Sequence, residues 1–159
     1  MNNSKAIMCG TFDPITLGHT ELIERACRIF DTLVVGVAHK SKSGFSESKR
    51  LELVNKAIQG LGNVTAVTYD GMTTDFAKSQ GAAIMIRGLR NVFDLEFEKQ
   101  LTQAYKTQDS SLSVIYMISA QDLSHISSTM VRELVTHKGK LEGYIPKAII
   151  SDVTKLYKL

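Results

Sequence analysis

The 159-residue chain has no tryptophan, two prolines and two cysteines. Each scarcity excludes something. Cys9 and Cys27 offer neither metal-ligand spacing nor a disulfide framework. Both stand in apolar surroundings and are expected as buried thiols, which suits a reducing cytoplasm. No apolar run approaches the roughly 18 residues of a membrane span. Met1-Asn-Asn-Ser-Lys5 is not followed by an h-region, so no secretory signal is expected. The net charge is only +3 and forms no basic stripe, so nucleic acid is not an expected partner. Repeats, linkers and low-complexity segments are missing. So are a P-loop and the Gly-x-Gly-x-x-Gly dinucleotide fingerprint. At 43% hydrophobic and 22% charged residues, the composition is that of one globular domain with a real core.

What is present alternates. Apolar runs at 5–9, 33–38, 64–69, 82–86 and 112–118 read as strands. The run at 33–38 is continuous, as expected for a strand covered on both faces. Between and after them, 20–30, 47–61, 74–80, 92–105, 127–137 and 146–156 read as helices. Ser46 is the expected cap of the second helix, Gly62 its C′ residue, and Gly81 closes the third. The expected fold class is α/β: a single Rossmann-like domain over 1–159, with a five-stranded parallel sheet and helices on both faces.

The densest chemical signal is Gly10-Thr-Phe-Asp-Pro-Ile-Thr-Leu-Gly-His19, between the first strand and the first helix. Backbone N–H groups at a helix start attract anions, and an imidazole there adds a movable charge. In an open α/β sheet, ligands bind beyond the carboxyl ends of the strands. Those ends carry Thr11 and His19; His39, Lys40 and Lys42; Met72 and Thr73; Arg87-Gly-Leu-Arg90; and the segment from Ser119 to Thr129. These strand ends supply hydroxyls and cations suited to phosphate oxygens.

Each has a plainer reading. His19 could cap or pack. Lys40 and Lys42 could be solvated loop lysines. Arg87, ending an apolar strand, needs a partner, either a bidentate phosphate or a carboxylate such as Asp94, Glu96 or Glu98. Ser127-Ser128-Thr129 could be an N-cap cluster, which does not exclude phosphate binding. His39, His125 and His137 share no metal spacing.

Thr16-x-Gly18-His19 resembles the signature of the nucleotidyltransferase superfamily. With Ile86-Arg-Gly-Leu-Arg-Asn-Val-Phe-Asp-Leu-Glu-Phe-Glu98, Ile126-Ser-Ser-Thr129 and Val131-Arg-Glu133, the chain from about residue 5 to about residue 150 resembles bacterial phosphopantetheine adenylyltransferase. The resemblance implies adenylyl transfer from ATP, with Mg²⁺, to 4′-phosphopantetheine, giving dephospho-coenzyme A and pyrophosphate by direct in-line attack. It implies that Thr11, Lys42 and Arg87 hold the acceptor phosphate and that Thr73 lies near the pantetheine arm. It places Thr11, Phe12, His19, Gly88, Leu89, Arg90, Glu98, Leu123, Ser124, His125, Ile126, Ser127, Ser128 and Thr129 on ATP. His19, Lys42 and Arg90 would be catalytic. A homohexamer and feedback by coenzyme A are also implied, while no protein metal ligand is expected.

The chain departs from the family pattern in places. Met8-Cys9 stand where Tyr-Pro is usual, Leu123 replaces an aromatic, and Tyr105 stands where asparagine is frequent. The basic loop is short: counting back from Phe45 selects Lys42, and counting forward from Ala38 selects Lys40. Thr-x-Gly-His fits a nicotinate-nucleotide or cytidylyltransferase equally well, but Arg87-Gly-Leu-Arg90 does not. A silent nucleotide-binding module and a plain interaction protein are the alternatives from other classes.

Overall fold

The computed structural model describes residues 4–39 and 44–156. The chain runs β1 (Lys5–Gly10), α1 (Leu17–Ala26), β2 (Thr32–Ala38), α2 (Glu47–Ala57), β3 (Val64–Tyr69), α3 (Thr73–Ser79), β4 (Ile84–Leu89), α4 (Val92–Gln108), β5 (Ser113–Ile118), α5 (Ser128–Thr136) and α6 (Ile150–Leu156). Short 3₁₀ turns lie at Gln121–Leu123 and Lys147–Ile149. The five strands form one parallel sheet in the order β3-β2-β1-β4-β5, the Rossmann-like arrangement expected.

Strand alternation splits the core into two layers. Ala6 and Met8 face one way with Leu33, Val35, Val37 and Ile86, against α1, α2, α5 and α6. Ile7 and Cys9 face the other way with Val34 and Met85, against Phe76 and Ala77 of α3 and Tyr105 of α4. Each fully buried Leu, Ile or Val contributes about 1.5–3 kcal/mol, so this double cover is the main source of stability for the central strands.

Among the boundaries that differ from the sequence reading, four bear on the site and the core. Helix α1 begins at Leu17 rather than Thr20, because Thr16 caps it and places His19 inside the first turn. It ends at Ala26 rather than Phe30; Phe30 turns inward while Ile29 is 63% exposed. Helix α2 ends at Ala57, and the left-handed residue that follows is Gly60 at φ +97°, not Gly62. Strand β4 occupies 84–89 rather than 82–86.

That last shift shapes the molecule. β1 and β4 pair only from Ala6↔Ile84 to Met8↔Ile86. Beyond them β1 stays with β2 to Gly10↔Val37, and β4 stays with β5 to Leu89↔Ile118. A gap therefore opens between the central strands where the winding direction reverses, the position at which open α/β sheets receive ligands. Arg87 and Gly88, which look like loop residues in a linear reading, are the last rungs of β4 beside this gap.

Candidate active site

A cleft of about 550 Å³ opens over the gap, within the size range of small-molecule sites. Its floor is Cys9, Gly10 and Ile86, and its walls come from the first loop, α1, β4, α4 and the start of α5. Of the residues singled out in the sequence, Thr11, Phe12, His19, Thr73, Arg87, Gly88, Arg90, Glu98, Leu123, Ile126, Ser127 and Ser128 line it. Leu89, Ser124, His125 and Thr129 are outside its lining. Leu89 is buried, and Ser124 donates to the Gln121 carbonyl. The exposed His125 meets Tyr144 edge-on at 6.0 Å. The Thr129 hydroxyl accepts from Arg132 at 3.1 Å. Lys40 and Lys42 lie outside the described residues.

His19 is fixed by the cap it helps to form. Its backbone N–H donates to Thr16 Oγ1 at 3.4 Å, while the Thr16 backbone N–H donates to His19 Nδ1 at 3.0 Å. This is a capping box with imidazole in the place of the usual Glu or Gln. An Nδ1 that accepts assigns the proton of the neutral ring to Nε2. Phe12, at φ +49°, packs edge-on to the ring at 5.1 Å. Burial, then the nearby Arg90 charge, pushes the His19 pKa down to about 4. The free protein thus holds a neutral imidazole beside the cleft.

The two arginines are held by α4. Arg87 Nε and Nη2 make a bidentate pair with Glu98 at 2.7 and 2.5 Å. Its Nη1 donates to the Cys9 carbonyl, at 3.2 Å, just past the last β1–β4 rung. Burial opposes the guanidinium charge, but the Glu98 carboxylate outweighs it and raises the Arg87 pKa. The carboxylate alternative for Arg87 is thus realised in the free protein. Arg90 pairs with Asp94 through Nε at 3.0 Å and Nη2 at 3.2 Å. Burial would raise the Asp94 pKa; the Arg90 side-chain and backbone donors override it and hold the carboxyl below its usual range. Asn91 caps α4 by accepting from the Asp94 N–H.

Helices α1 and α5 both begin at the cleft, through Gly18 and His19 and through Ser127 and Ser128. Ser127 is the N-cap of α5, and the Ser128 hydroxyl donates to the Pro14 carbonyl at 2.8 Å. Two positive helix ends and two guanidinium groups meet over the end of the sheet, an arrangement suited to anions.

A cytidylyltransferase-like family model matches residues 7–134. The phosphopantetheine adenylyltransferase of Nautilia profundicola is 40% identical over 152 residues, which span 94% of this chain and 99% of the relative. The protein of that name from Lachnoclostridium phytofermentans is 37% identical, spanning 93% and 92%. That of Wigglesworthia glossinidia brevipalpis is 36% identical, spanning 99% and 95%. The chain belongs to the phosphopantetheine adenylyltransferase family. Among solved structures, a Vibrio parahaemolyticus chain assigned as a nicotinate-nucleotide adenylyltransferase aligns at a TM-score of 0.74 and 20% identity, over 98% of this chain and 96% of that one. That likeness shows the shared fold alone.

Two residues, Arg50 and Tyr69, escaped the sequence reading of the cleft. Tyr69 lines it, stacked on Phe76 with centroids 4.5 Å apart, its hydroxyl 3.1 Å from Thr73 Oγ1. Burial, then the neighbouring Cys9, pushes the Tyr69 pKa up to about 12. Burial likewise pushes Cys9 up to about 12, against the pull of Arg87, so this thiol beside the cleft stays protonated. Arg132 donates to the Asp13 carbonyl at 2.6 Å. Arg50 is buried outright. Its signal was available: it stands four residues before Val54, on the inward face of α2.

Proposed function

We propose that the protein transfers the adenylyl group of MgATP to 4′-phosphopantetheine. A phosphate oxygen of the acceptor attacks the α-phosphorus in line, the bond to the bridging oxygen breaks, and pyrophosphate leaves with dephospho-coenzyme A as product. No covalent intermediate is needed. The observation that carries the reading is one cleft shared by His19, Arg87, Arg90, Thr11 and the start of α5. The family membership supports the choice of acceptor.

The nucleophile is already anionic, so a protein base has nothing to remove. The task is to align two mutually repelling anions and neutralise the charge that builds on the α-phosphate and on pyrophosphate. Neutral His19, with its proton on Nε2, donates to an α-phosphate oxygen. Arg90 takes the β and γ end of ATP, and Lys42 bridges nucleophile and α-phosphate. Thr11, Lys42 and Arg87 hold the acceptor phosphate, with Thr73 beside the pantetheine arm. ATP further contacts Phe12, Gly88, Leu89, Glu98 and the segment Leu123, Ser124, His125, Ile126, Ser127, Ser128 and Thr129. Among the described residues, no group of three or more His, Cys, Asp or Glu is placed to hold a metal ion. In this reading Mg²⁺ enters with the nucleotide substrate.

The reading extends to a cytoplasmic homohexamer that coenzyme A inhibits from the same cleft. No helix among the described residues is long and apolar enough to cross a membrane. Val92, Phe93 and Phe97 of α4 are 72%, 85% and 60% exposed, and Ile118 of the edge strand β5 is 71% exposed. Exposed apolar side chains of this size suit burial against further copies. Light scattering at working concentration tests the assembly.

The deciding experiment mixes purified protein with MgATP and 4′-phosphopantetheine. Dephospho-coenzyme A by mass, with one pyrophosphate per turnover, is the expected result. Nucleotide binding without pyrophosphate release would instead favour a silent module.

A further inference from the structure

Arg50 is 1% exposed and donates to four backbone carbonyls. Its Nη1 reaches Thr11 O at 2.6 Å and Ala38 O at 2.8 Å. Its Nη2 reaches His39 O at 2.9 Å, and its Nε reaches Phe45 O at 3.1 Å. Thr11 and Ala38 follow or end β1 and β2, and both line the cleft. A single nitrogen therefore ties together two neighbouring lips of the site from beneath.

We infer that Arg50 is a positioning residue for adenylyl transfer: it sets the spacing of the β1 and β2 lips and screens their carbonyl oxygens from the incoming phosphates. The inference rests on the adenylyl-transfer reading above. Burying a guanidinium is costly unless nearly every N–H finds an acceptor, and here four backbone carbonyls meet that demand. An apolar side chain could not spread positive charge over carbonyls at the rim of a polyanion site. Carbonyl oxygens are the negative ends of the peptide dipoles, and unscreened oxygens at a strand end repel phosphate in a low-dielectric cleft. The planar fork matters as much as the charge, because it spans two strands at once, whereas an ammonium is a single point. Thr11 is also the start of the loop that ends in Thr16, whose N–H orients His19. A shift of the β1 lip is therefore passed to the imidazole.

The test is Arg50→Lys, with wild-type turnover established first. Steady-state kinetics are paired with calorimetric titration of ATP in the absence of acceptor. The expected result is a fall in kcat of about tenfold or more, with ATP stoichiometry unchanged. A folding defect would lower stoichiometry and kcat in proportion, and that outcome overturns the inference, as does a kcat within about twofold of wild type. If Arg50→Lys does not fold, ¹⁵N spectra of wild-type guanidinium groups decide. Arg50 Nη protons should be resolved, slow to exchange, and shifted by added 4′-phosphopantetheine; resonances that the acceptor leaves unmoved overturn the inference. A wild-type protein without turnover would instead defeat the parent reading.

Discussion

His19 and Thr16 close a ring of hydrogen bonds in which each residue's backbone N–H is satisfied by the other's side chain. The ring spends Nδ1 on structure and leaves Nε2 as the donor for chemistry. Capping and catalysis are thus the same arrangement seen from two sides of one imidazole. His19→Ala is expected to lower kcat by about 10²-fold or more, on the order of 3 kcal/mol, with a modest change in ATP affinity. Stopped assays of pyrophosphate release check this, and a near-wild-type rate would remove His19 from the mechanism.

The depressed His19 pKa predicts a pH dependence with a definite sign. The folded ring titrates near 4, and an unfolded one near 6.5. Between those values the unfolded chain binds more protons, so stability rises with pH across that window and is flat above it. The loss on acidification from 6.5 toward 4 is on the order of 3 kcal/mol at most, and less in practice because the ring is only partly buried. Bound polyphosphate should reverse the shift, since anions favour the imidazolium. Histidine NMR titrations with and without ATP would reveal it. A free-protein pKa of 6.5 that ATP leaves unmoved would contradict the account.

Periodicity made the alternation of strands and helices legible, because fully covered strands read as unbroken apolar runs and capped helices announce themselves at Ser46 and Ser127. Three features were opaque for physical reasons. His19 looks like a residue ahead of a helix, and only the reciprocal bond to Thr16 shows it to be the third residue within one. Arg87 and Gly88 look like a loop, because strand pairing with β5 after β1 has departed leaves no hydrophobic trace. The partners of Arg50 are backbone carbonyls scattered over residues 11, 38, 39 and 45, and carbonyls have no sequence signature. For Arg87, the linear reading left both a phosphate and a carboxylate open; the free protein adopts the carboxylate of Glu98.

Packing below the cleft leaves no room for a methyl group at Gly36. A Cβ there would lie 2.6 Å from Phe76 Cε1 and 2.9 Å from Cys9 Sγ. The Phe76 ring is backed by Tyr69, so it has little freedom to yield. Gly36→Ala is expected to cost about 1–3 kcal/mol, read as a lower urea midpoint at unchanged slope. Pairing it with Cys9→Ala, which removes the sulfur, should recover part of the loss. An additive double variant would show that the two sites do not share the strain.

The Arg87–Glu98 pair gives the last prediction and the most direct view of how the free site is kept in order. Both side chains are mostly buried, and the carboxylate uses both oxygens on one guanidinium. Removing one partner strands the other charge away from water. Glu98→Ala is therefore expected to destabilise by about 3–5 kcal/mol, and the Arg87→Ala/Glu98→Ala double variant by clearly less than the sum of the single changes. Activity should separate the two roles. If Glu98 acts by aiming Arg87, Glu98→Gln, which keeps one acceptor, should raise KM for the acceptor more than KM for ATP. If Glu98 instead acts on the nucleotide directly, the ATP constant moves first. A cycle that is additive in stability would mean that the pair seen in the free protein contributes no coupling, and that Arg87 is held by the Cys9 carbonyl alone.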